Sequence, residues 1–288
     1  MSLIKKEKGI IRGYVYKIES DSVTEYLFDN LKHLETFKGD SSTAIVTDID
    51  GTISEIAPTP TGALVTDSMR EEMVKLHRKF VLVAVISGRS VVNAREMVGV
   101  DELIYVGNHG MEFLEDGKIS LYPEVEKYLP QMKQTGQKLQ KGDLSHIDGL
   151  LFEDKGICFS IHYRLASHSE DVREKILNNI KNDPECEELK IAEGRQLVEL
   201  KPPLSCDKGT ILDNIVQKYD LKKVIYLGDD ITDLDAFNRL KVLENQGKIR
   251  GASVLVCSSE IPSDVKKGSS YFVNSVDEVL KFFQWLSN

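Results

Sequence analysis

The sequence predicts an α/β protein in which a parallel-sheet core is interrupted by an inserted α+β cap domain. Short apolar runs at residues 43–47, 80–86, 103–106 and 224–227 each end in small and polar residues. That is the pattern of a sheet buried on both faces, with its site beyond the carboxyl ends of the strands. Between residues 115 and 203 the strands change to apolar–polar alternation, as in a sheet with one wet face. The expected division is an N-terminal helical appendage over 1–40, a core over 41–114 and 204–288, and an insertion over 115–203.

Composition narrows the function classes. A chain of 288 residues that is 41% hydrophobic can fill a substantial core. Its net charge of -9 argues against nucleic acid as a partner, because phosphate backbones select basic faces. Cys158, Cys186, Cys206 and Cys257 are dispersed without a Cys-x-x-Cys pair, and the start carries no long apolar run. A cytoplasmic location is therefore expected. No stretch approaches the ~20 apolar residues of a membrane span, so no membrane partner is expected, and there is no internal repeat.

Taken in order, Ser22 and Glu25 form a capping box ahead of an apolar stripe of Val23, Leu27, Leu31 and Leu34, which predicts a packing helix. The β-branched run 43–47 leads into Asp48-Ile49-Asp50-Gly51-Thr52. Alternation along an extended backbone puts Asp48 and Asp50 on one side and Ile49 toward the core. Two carboxylates in one small volume repel, so the pair calls for a cation between them or a proton on one of them. The N–H groups of Gly51 and Thr52 are candidate donors to an anion. A helix is expected over 67–79, then a strand over 80–86 ending in Ser87-Gly88-Arg89. Another helix covers 91–98 with Gly99 as its stop. The strand 103–106 ends in Gly107-Asn108-His109-Gly110.

Within the insertion, Ile157, Phe159, Ile161 and Tyr163 share one strand face, while Cys158, Ser160, His162 and Arg164 share the other. Arg195, Leu197 and Glu199 likewise share a face. Residues 153–156 and 193–194 read as hairpin turns, a helix over 170–182 is capped by Ser167 or Ser169, and Pro202 and Pro203 close the segment. Lys208 then opens a helix running to 219, and the strand 224–227 ends in Gly228-Asp229-Asp230-Ile231-Thr232-Asp233. Strands over 252–257 and 271–273 and a closing helix over 276–286 complete the chain.

Gathered at strand ends, Asp48, Asp50, Ser87, Lys208, Asp229, Asp230 and Asp233 suit a phosphoryl group together with Mg2+, a hard ion that takes oxygen ligands. Zinc is not expected, since His109, His162 and His168 lack a matched ligand set. His33 and His77 on helices and His146 in a loop are expected to be solvated.

These four dispersed segments resemble the motifs of the haloacid dehalogenase superfamily: Asp48-Ile49-Asp50-Gly51-Thr52, then Ser87, then Lys208, then Gly228-Asp229-Asp230 with Asp233. The resemblance implies a HAD-like, Rossmannoid core. It also implies that Asp48 attacks phosphorus to form an aspartyl phosphate, Asp50 acts as general acid and base, and Ser87 and Lys208 hold the phosphoryl oxygens. The metal site it implies is drawn from Asp48, Asp50, Asp229, Asp230 and Asp233: the Asp48 and Asp229 carboxylates and the Asp50 backbone carbonyl hold the ion, and Asp230 and Asp233 orient the shell.

The insertion resembles the cap of trehalose-6-phosphate phosphatases. The matching segments are Glu153-Asp154-Lys155-Gly156, His162-Tyr163-Arg164, Gly194-Arg195 with Glu199-Leu200 and Pro202, and Asp207-Lys208-Gly209. Gly107-Asn108-His109-Gly110 matches that family's core. The resemblance implies that Glu153, Lys155, Arg164, Arg195 and Glu199 hold sugar hydroxyls, with Arg89, Asn108, His109 and His162 as further substrate-binding candidates. Leu234 stands where the family usually has Glu, and Gln196 follows Arg195 where a basic residue is common. The first 40 residues match none of its motifs. The expected activity is magnesium-dependent hydrolysis of trehalose 6-phosphate. The alternatives are a phosphatase for sucrose 6-phosphate or a glycosyl phosphoglycerate, a phosphomutase, or a non-catalytic sugar-phosphate sensor. Any link to trehalose synthesis would run through a separate synthase.

Overall fold

The computed structural model describes residues 7–11, 14–18, 24–258 and 265–288. The first elements are β1 (Glu7–Ile11) and β2 (Tyr14–Ile18), which pair antiparallel. Next come β3 (Glu25–Tyr26), a 3-10 turn over Leu27–Asp29 and the single-turn α1 (Leu31–Leu34).

The helix expected from the capping box is thus replaced by a strand and two short turns, and Ser22 and Val23 lie outside the described residues. Glu25 sits in β3, not in a first helical turn, because its backbone pairs with a core strand, Glu25 opposite Tyr271 and Tyr26 opposite Phe272. Sheet pairing here overrides a local helical pattern. Leu27 and Leu34 still reach the core, together with Phe37.

The core strands follow the expected order. They are β4 (Thr43–Thr47), β5 (Leu82–Ile86), β6 (Ile104–Gly107), and the antiparallel hairpin β7 (Glu112–Glu115) and β8 (Lys118–Leu121). The helices between them are α2 (Asp67–Lys79), capped by the Thr66 hydroxyl, and α3 (Val91–Val98), capped by Ser90. Gly99 ends α3 at φ 69°, the left-handed conformation that made it a stop signal.

The intervening segment folds as α4 (Leu129–Lys141), β9 (Leu151–Asp154), β10 (Phe159–His162), α5 (Ser169–Lys181), β11 (Lys190–Gly194) and β12 (Leu197–Lys201). Its four strands form an antiparallel sheet in the order β11-β12-β10-β9. The chain then returns through α6 (Lys208–Lys218), β13 (Lys223–Gly228), α7 (Asp233–Asn245), β14 (Arg250–Val256), β15 (Tyr271–Val273) and α8 (Val276–Ser287).

The large sheet has the order β3-β15-β14-β13-β4-β5-β6-β7-β8, parallel from β3 through β6. Its strands alternate between two apolar layers. Ile45 faces the layer that contains residues of α2, α3 and α8, and Ala44 and Val46 face the layer with α6 and α7. Burying one such side chain contributes about 1.5–3 kcal/mol, so both faces of β4 hold the strand in place. Residues 112–121 pair onto this sheet as β7 and β8, so the sheet runs past the boundary expected at 115.

In the smaller sheet Phe159, Ile161, Val198 and Leu200 pack against Met132 and Leu139 of α4 and Val172, Ile176 and Ile180 of α5. The alternation is as expected, although β10 is shorter than the 157–164 stretch. Helix α5 starts without the serine cap anticipated, because His168 occupies the N-cap position at φ 56° with no side-chain hydrogen bond. Gly136, inside α4, is needed by close packing: a Cβ there would lie 2.5 Å from the Phe159 ring. Among the described residues no helix is long and apolar enough to cross a membrane.

Candidate active site

The chain leaves β4 in two directions across the sheet, toward β5 and β6 on one side and β13 to β15 on the other. Strand order therefore reverses at β4, where open α/β sheets place their ligand crevice. Register does the rest. Thr47 lies opposite both Leu227 and Val85, so the first residues past these strands, Asp48, Asp229 and Ser87, emerge on one edge.

Asp48 is buried, at 7% exposure. Its Oδ2 accepts a 2.7 Å hydrogen bond from Lys208 Nζ, and its Oδ1 accepts from the Ile49 amide at 2.7 Å. Lys208 is the first residue of α6, where Asp207 caps the helix. Its ammonium also donates to Asp233 Oδ1 at 2.7 Å. Burial pushes the Asp48 and Asp229 carboxyls above their usual range, and neighbouring carboxylates add to this against the pull of Lys208 and Arg195 respectively. Burial alone would lower the Lys208 ammonium, but Asp233 and Asp48 outweigh it and raise it.

Asp48, Asp229 and Asp233 present oxygens that all lie within 4.8 Å of one another. Asp233 is nevertheless committed elsewhere. Its Oδ1 accepts from Lys208 and from the Tyr226 hydroxyl at 2.8 Å, and its Oδ2 accepts from the amides of Asp229 and Asp230 at 3.1 and 3.0 Å. It shapes the loop and holds the lysine. Asp229 meets Gly51 directly: Gly51 stands at φ 81°, and a Cβ there would fall 1.8 Å from Asp229 Oδ2. Only glycine lets the two loops approach this closely.

The carboxylates of Asp230, expected to orient the shell, and Asp50, expected to offer its backbone carbonyl, lie outside this group of three. Asp230 turns its Oδ1 to the Ile231 amide at 2.7 Å. Asp50 is gripped by Arg89 through two bonds of 2.7 Å, Nε to Oδ2 and Nη2 to Oδ1. The remaining Arg89 donors reach Asn93 Oδ1 at 2.7 Å and Pro60 O at 3.1 Å, so Arg89 holds Asp50 and the loop rather than standing ready for substrate. The amides of Gly51 and Thr52 are also occupied, donating to Ser54 O and Ile49 O, and so do not form the anion cradle expected of them. Ser87 is buried, and its hydroxyl accepts from the Arg89 amide at 3.2 Å.

The smaller sheet closes over this edge. Arg195, at the β11–β12 turn, donates to Asp229 O at 2.9 Å and ion-pairs with its Oδ2 at 2.7 Å. Lys155 donates to Gly88 O at 3.0 Å and Glu199 Oε1 at 2.9 Å. Glu199 also accepts from Ser160 at 3.0 Å, and its Oε2 lies 2.7 Å from His109 Nε2. Burial would raise the Glu199 carboxyl, but Lys155 and His109 hold it well below the usual range. His162 contacts Glu153 at 2.9 Å. That bond and the charge of Lys155 outweigh burial and lower the Glu153 carboxyl. Arg164 donates to Arg195 O at 3.5 Å.

Asp48, Asp50, Ser87, Arg89, His109, Glu153, Lys155, His162, Arg164, Arg195, Glu199, Lys208, Asp229 and Asp230 all line one cleft of about 240 Å³. Asn108 does not. It is fully buried at φ 47° and bonds Glu112 Oε1 at 2.7 Å and Lys155 O at 3.3 Å, so it fixes a loop instead of meeting substrate. The lining also includes Lys201, Glu193, Ala192, Ile231 and the loop containing Ile56, Pro58, Pro60 and Ala63, none of them among the expected site residues. The alternation of β12 through Leu197 and Glu199 could have found Lys201. Nothing local marked the loop. His33 and His146 are exposed as expected, and His77 is half-buried.

The sequence pattern of the trehalose-phosphatase family matches residues 46–277. The chain belongs to that family. It is 30% identical over 273 residues to probable trehalose-phosphate phosphatase 2 of Oryza sativa subsp. japonica, covering 85% of this chain and 68% of the relative. To probable trehalose-phosphate phosphatase H of Arabidopsis thaliana it is 29% identical over 298 residues, covering 97% of this chain and 80% of the relative. Among solved structures, the C-terminal domain of the C. albicans trehalose-6-phosphate phosphatase superposes with a TM-score of 0.71 at 19% identity, covering 93% of this chain and 99% of that one. The core has the expected haloacid dehalogenase architecture. Leu234, a departure from the family's usual Glu, is buried in the layer with α6 and α7.

Proposed function

We propose that this family member hydrolyses trehalose 6-phosphate to trehalose and phosphate, as a cytoplasmic enzyme supplied by a separate synthase. The observation that carries the reading is the buried Asp48–Lys208–Asp233 chain, set beside Asp229 in a cleft that also contains Asp50 and the polar face of the smaller sheet.

Asp48 is the nucleophile. Its Oδ forms a bond to phosphorus as the bond from phosphorus to the sugar oxygen breaks. For this step Asp50 carries a proton, which requires one of its oxygens to turn from Arg89, and gives it to that departing oxygen; the product is an aspartyl phosphate. A water molecule then attacks phosphorus, Asp50 takes a proton from it, and Asp48 is released with phosphate. Lys208 and Ser87 hold non-bridging oxygens, and Arg89 keeps the Asp50 carboxylate in place.

The obstacle is charge, since a carboxylate about 4 Å from a phosphate charge is repelled by roughly 4 kcal/mol at an effective dielectric of 20. Asp48 and Asp229 offer the all-oxygen donor set that suits a magnesium ion, with Asp233 orienting the loop that carries Asp229. When bound there, the ion supplies the positive charge that offsets this repulsion. The polar residues Glu153, Lys155, His162, Arg164 and Arg195 provide donors and acceptors matched to sugar hydroxyls.

Phosphate release from trehalose 6-phosphate, beside sucrose 6-phosphate, glucose 6-phosphate and mannosyl 3-phosphoglycerate, tests the reading. Magnesium-dependent preference for the first supports it. Preference for another ester, or binding without turnover, overturns it.

A further inference from the structure

The smaller sheet lines the cleft mostly with polar residues, Glu153, Lys155, His162 and Arg164 beside Ala192 and Leu197, while the core adds, next to its charged floor, the apolar loop between β4 and α2, with Ile56, Pro58, Pro60 and Ala63 toward the cleft. A pyranose ring is polar around its rim and apolar on its C–H faces, so a sugar site needs an apolar surface as well as hydrogen-bonding groups. That surface is usually aromatic, yet among the described residues none that lines the cleft is Phe, Tyr or Trp.

The loop can serve in their place because it is held rigidly. Pro58 and Pro60 restrict its backbone, residues Pro60–Gly62 form a 3-10 turn, and Arg89 Nη2 bonds Pro60 O at 3.1 Å. The same guanidinium grips Asp50. The position of the loop is thereby tied to the group that meets the departing sugar oxygen. Depth separates the two ends of the cleft: Asp48, Ser87 and Lys208 are buried at its floor, Ile56 is half-buried and Pro58 is exposed at its rim. With the phosphate anchored at the floor, a longer ester extends further toward the exposed Pro58 than a shorter one does.

We propose that the loop around Ile56 and Pro58 is the apolar wall for the second sugar ring and lets the site favour a disaccharide phosphate over a monosaccharide phosphate. The inference rests on the trehalose 6-phosphate reading and adds a specificity determinant from the core to the polar residues of the smaller sheet.

The test compares trehalose 6-phosphate with glucose 6-phosphate for the intact protein, Pro58→Ser, and Ile56→Ser with Pro58→Ser. Losing contact with roughly two methylene-sized groups lowers kcat/KM for the disaccharide ester about tenfold in the double variant. The glucose ester should change less than about twofold, since it extends less far toward the contact. Pro58→Ser alone shifts the ratio in the same direction, and because Pro58 is exposed this variant does not depend on core packing. Equal losses on both esters, or an unchanged ratio with melting temperatures preserved, overturn the loop assignment. If the unaltered protein shows no preference for the disaccharide ester, the trehalose 6-phosphate reading falls, and the loop assignment with it.

Discussion

Replacing Glu199 by Ala should destabilise the protein strongly before any question of catalysis arises. Sequence resemblance casts Glu199 as a sugar ligand, but its carboxylate is 2% exposed and already engages Lys155, Ser160 and His109. Removing it leaves the Lys155 ammonium buried with Gly88 O as its remaining close partner and the charge of Glu153 nearby. Breaking a buried ion pair in this way costs about 3–5 kcal/mol. At roughly 2–3 °C per kcal/mol for a chain of this size, the melting temperature falls by about 6–15 °C.

The pH dependence follows from the sign of the shift. The Glu199 carboxyl is held well below its ordinary value in the folded state, so its contribution is complete above the unfolded value of about 4.3. It is lost as pH falls from there toward the folded value. Thermal melts of the unaltered protein and Glu199→Gln should therefore differ near neutral pH, with protonation of the adjoining His109 adding to the pH dependence below it, and converge in acid. A Glu199→Ala penalty below about 1 kcal/mol, the range of an exposed ion pair, would refute the picture of a buried anchor between the two sheets.

Three further outcomes follow from the same geometry. Asp48→Asn should abolish phosphate release while leaving the circular dichroism spectrum native, and measurable turnover would exclude the aspartyl-phosphate route. Arg89→Gln frees the Asp50 carboxylate, so kcat on the sugar ester should drop about 10²-fold, the lower end of general acid catalysis. An aryl phosphate with a good leaving group should lose much less, and equal losses would show that Arg89 acts elsewhere. Gly51→Ala places a methyl on the Asp229 carboxylate at a left-handed backbone position, so binding of Mn2+ followed by electron paramagnetic resonance should weaken at least about tenfold, corresponding to 1.4 kcal/mol. Unchanged binding would remove Asp229 from the metal site.

The sequence by itself determined the elements whose signals are local. Buried β-branched runs announced β4 and β13, and Gly99 marked the end of α3. The alternation of Phe159 and Ile161 with Ser160 and His162 distinguished the two faces of β10. The four motifs placed Asp48, Ser87, Lys208 and Asp229 at strand and helix ends. Tertiary structure decided what depends on residues distant in the chain. Sheet pairing with β15 turned Glu25 into a strand residue, and the nearness of Phe159 let a helix continue through Gly136. The same distinction divides the site. Lys208 finds Asp48 across 160 residues and Arg89 finds Asp50 across 39. Asp233, expected to orient the metal shell, directs its bonds to Lys208, Tyr226 and two amides. Local sequence encodes backbone preference and the pattern of burial, whereas the partner of a buried charge is set only when the whole core packs and each charge must find compensation within hydrogen-bond reach.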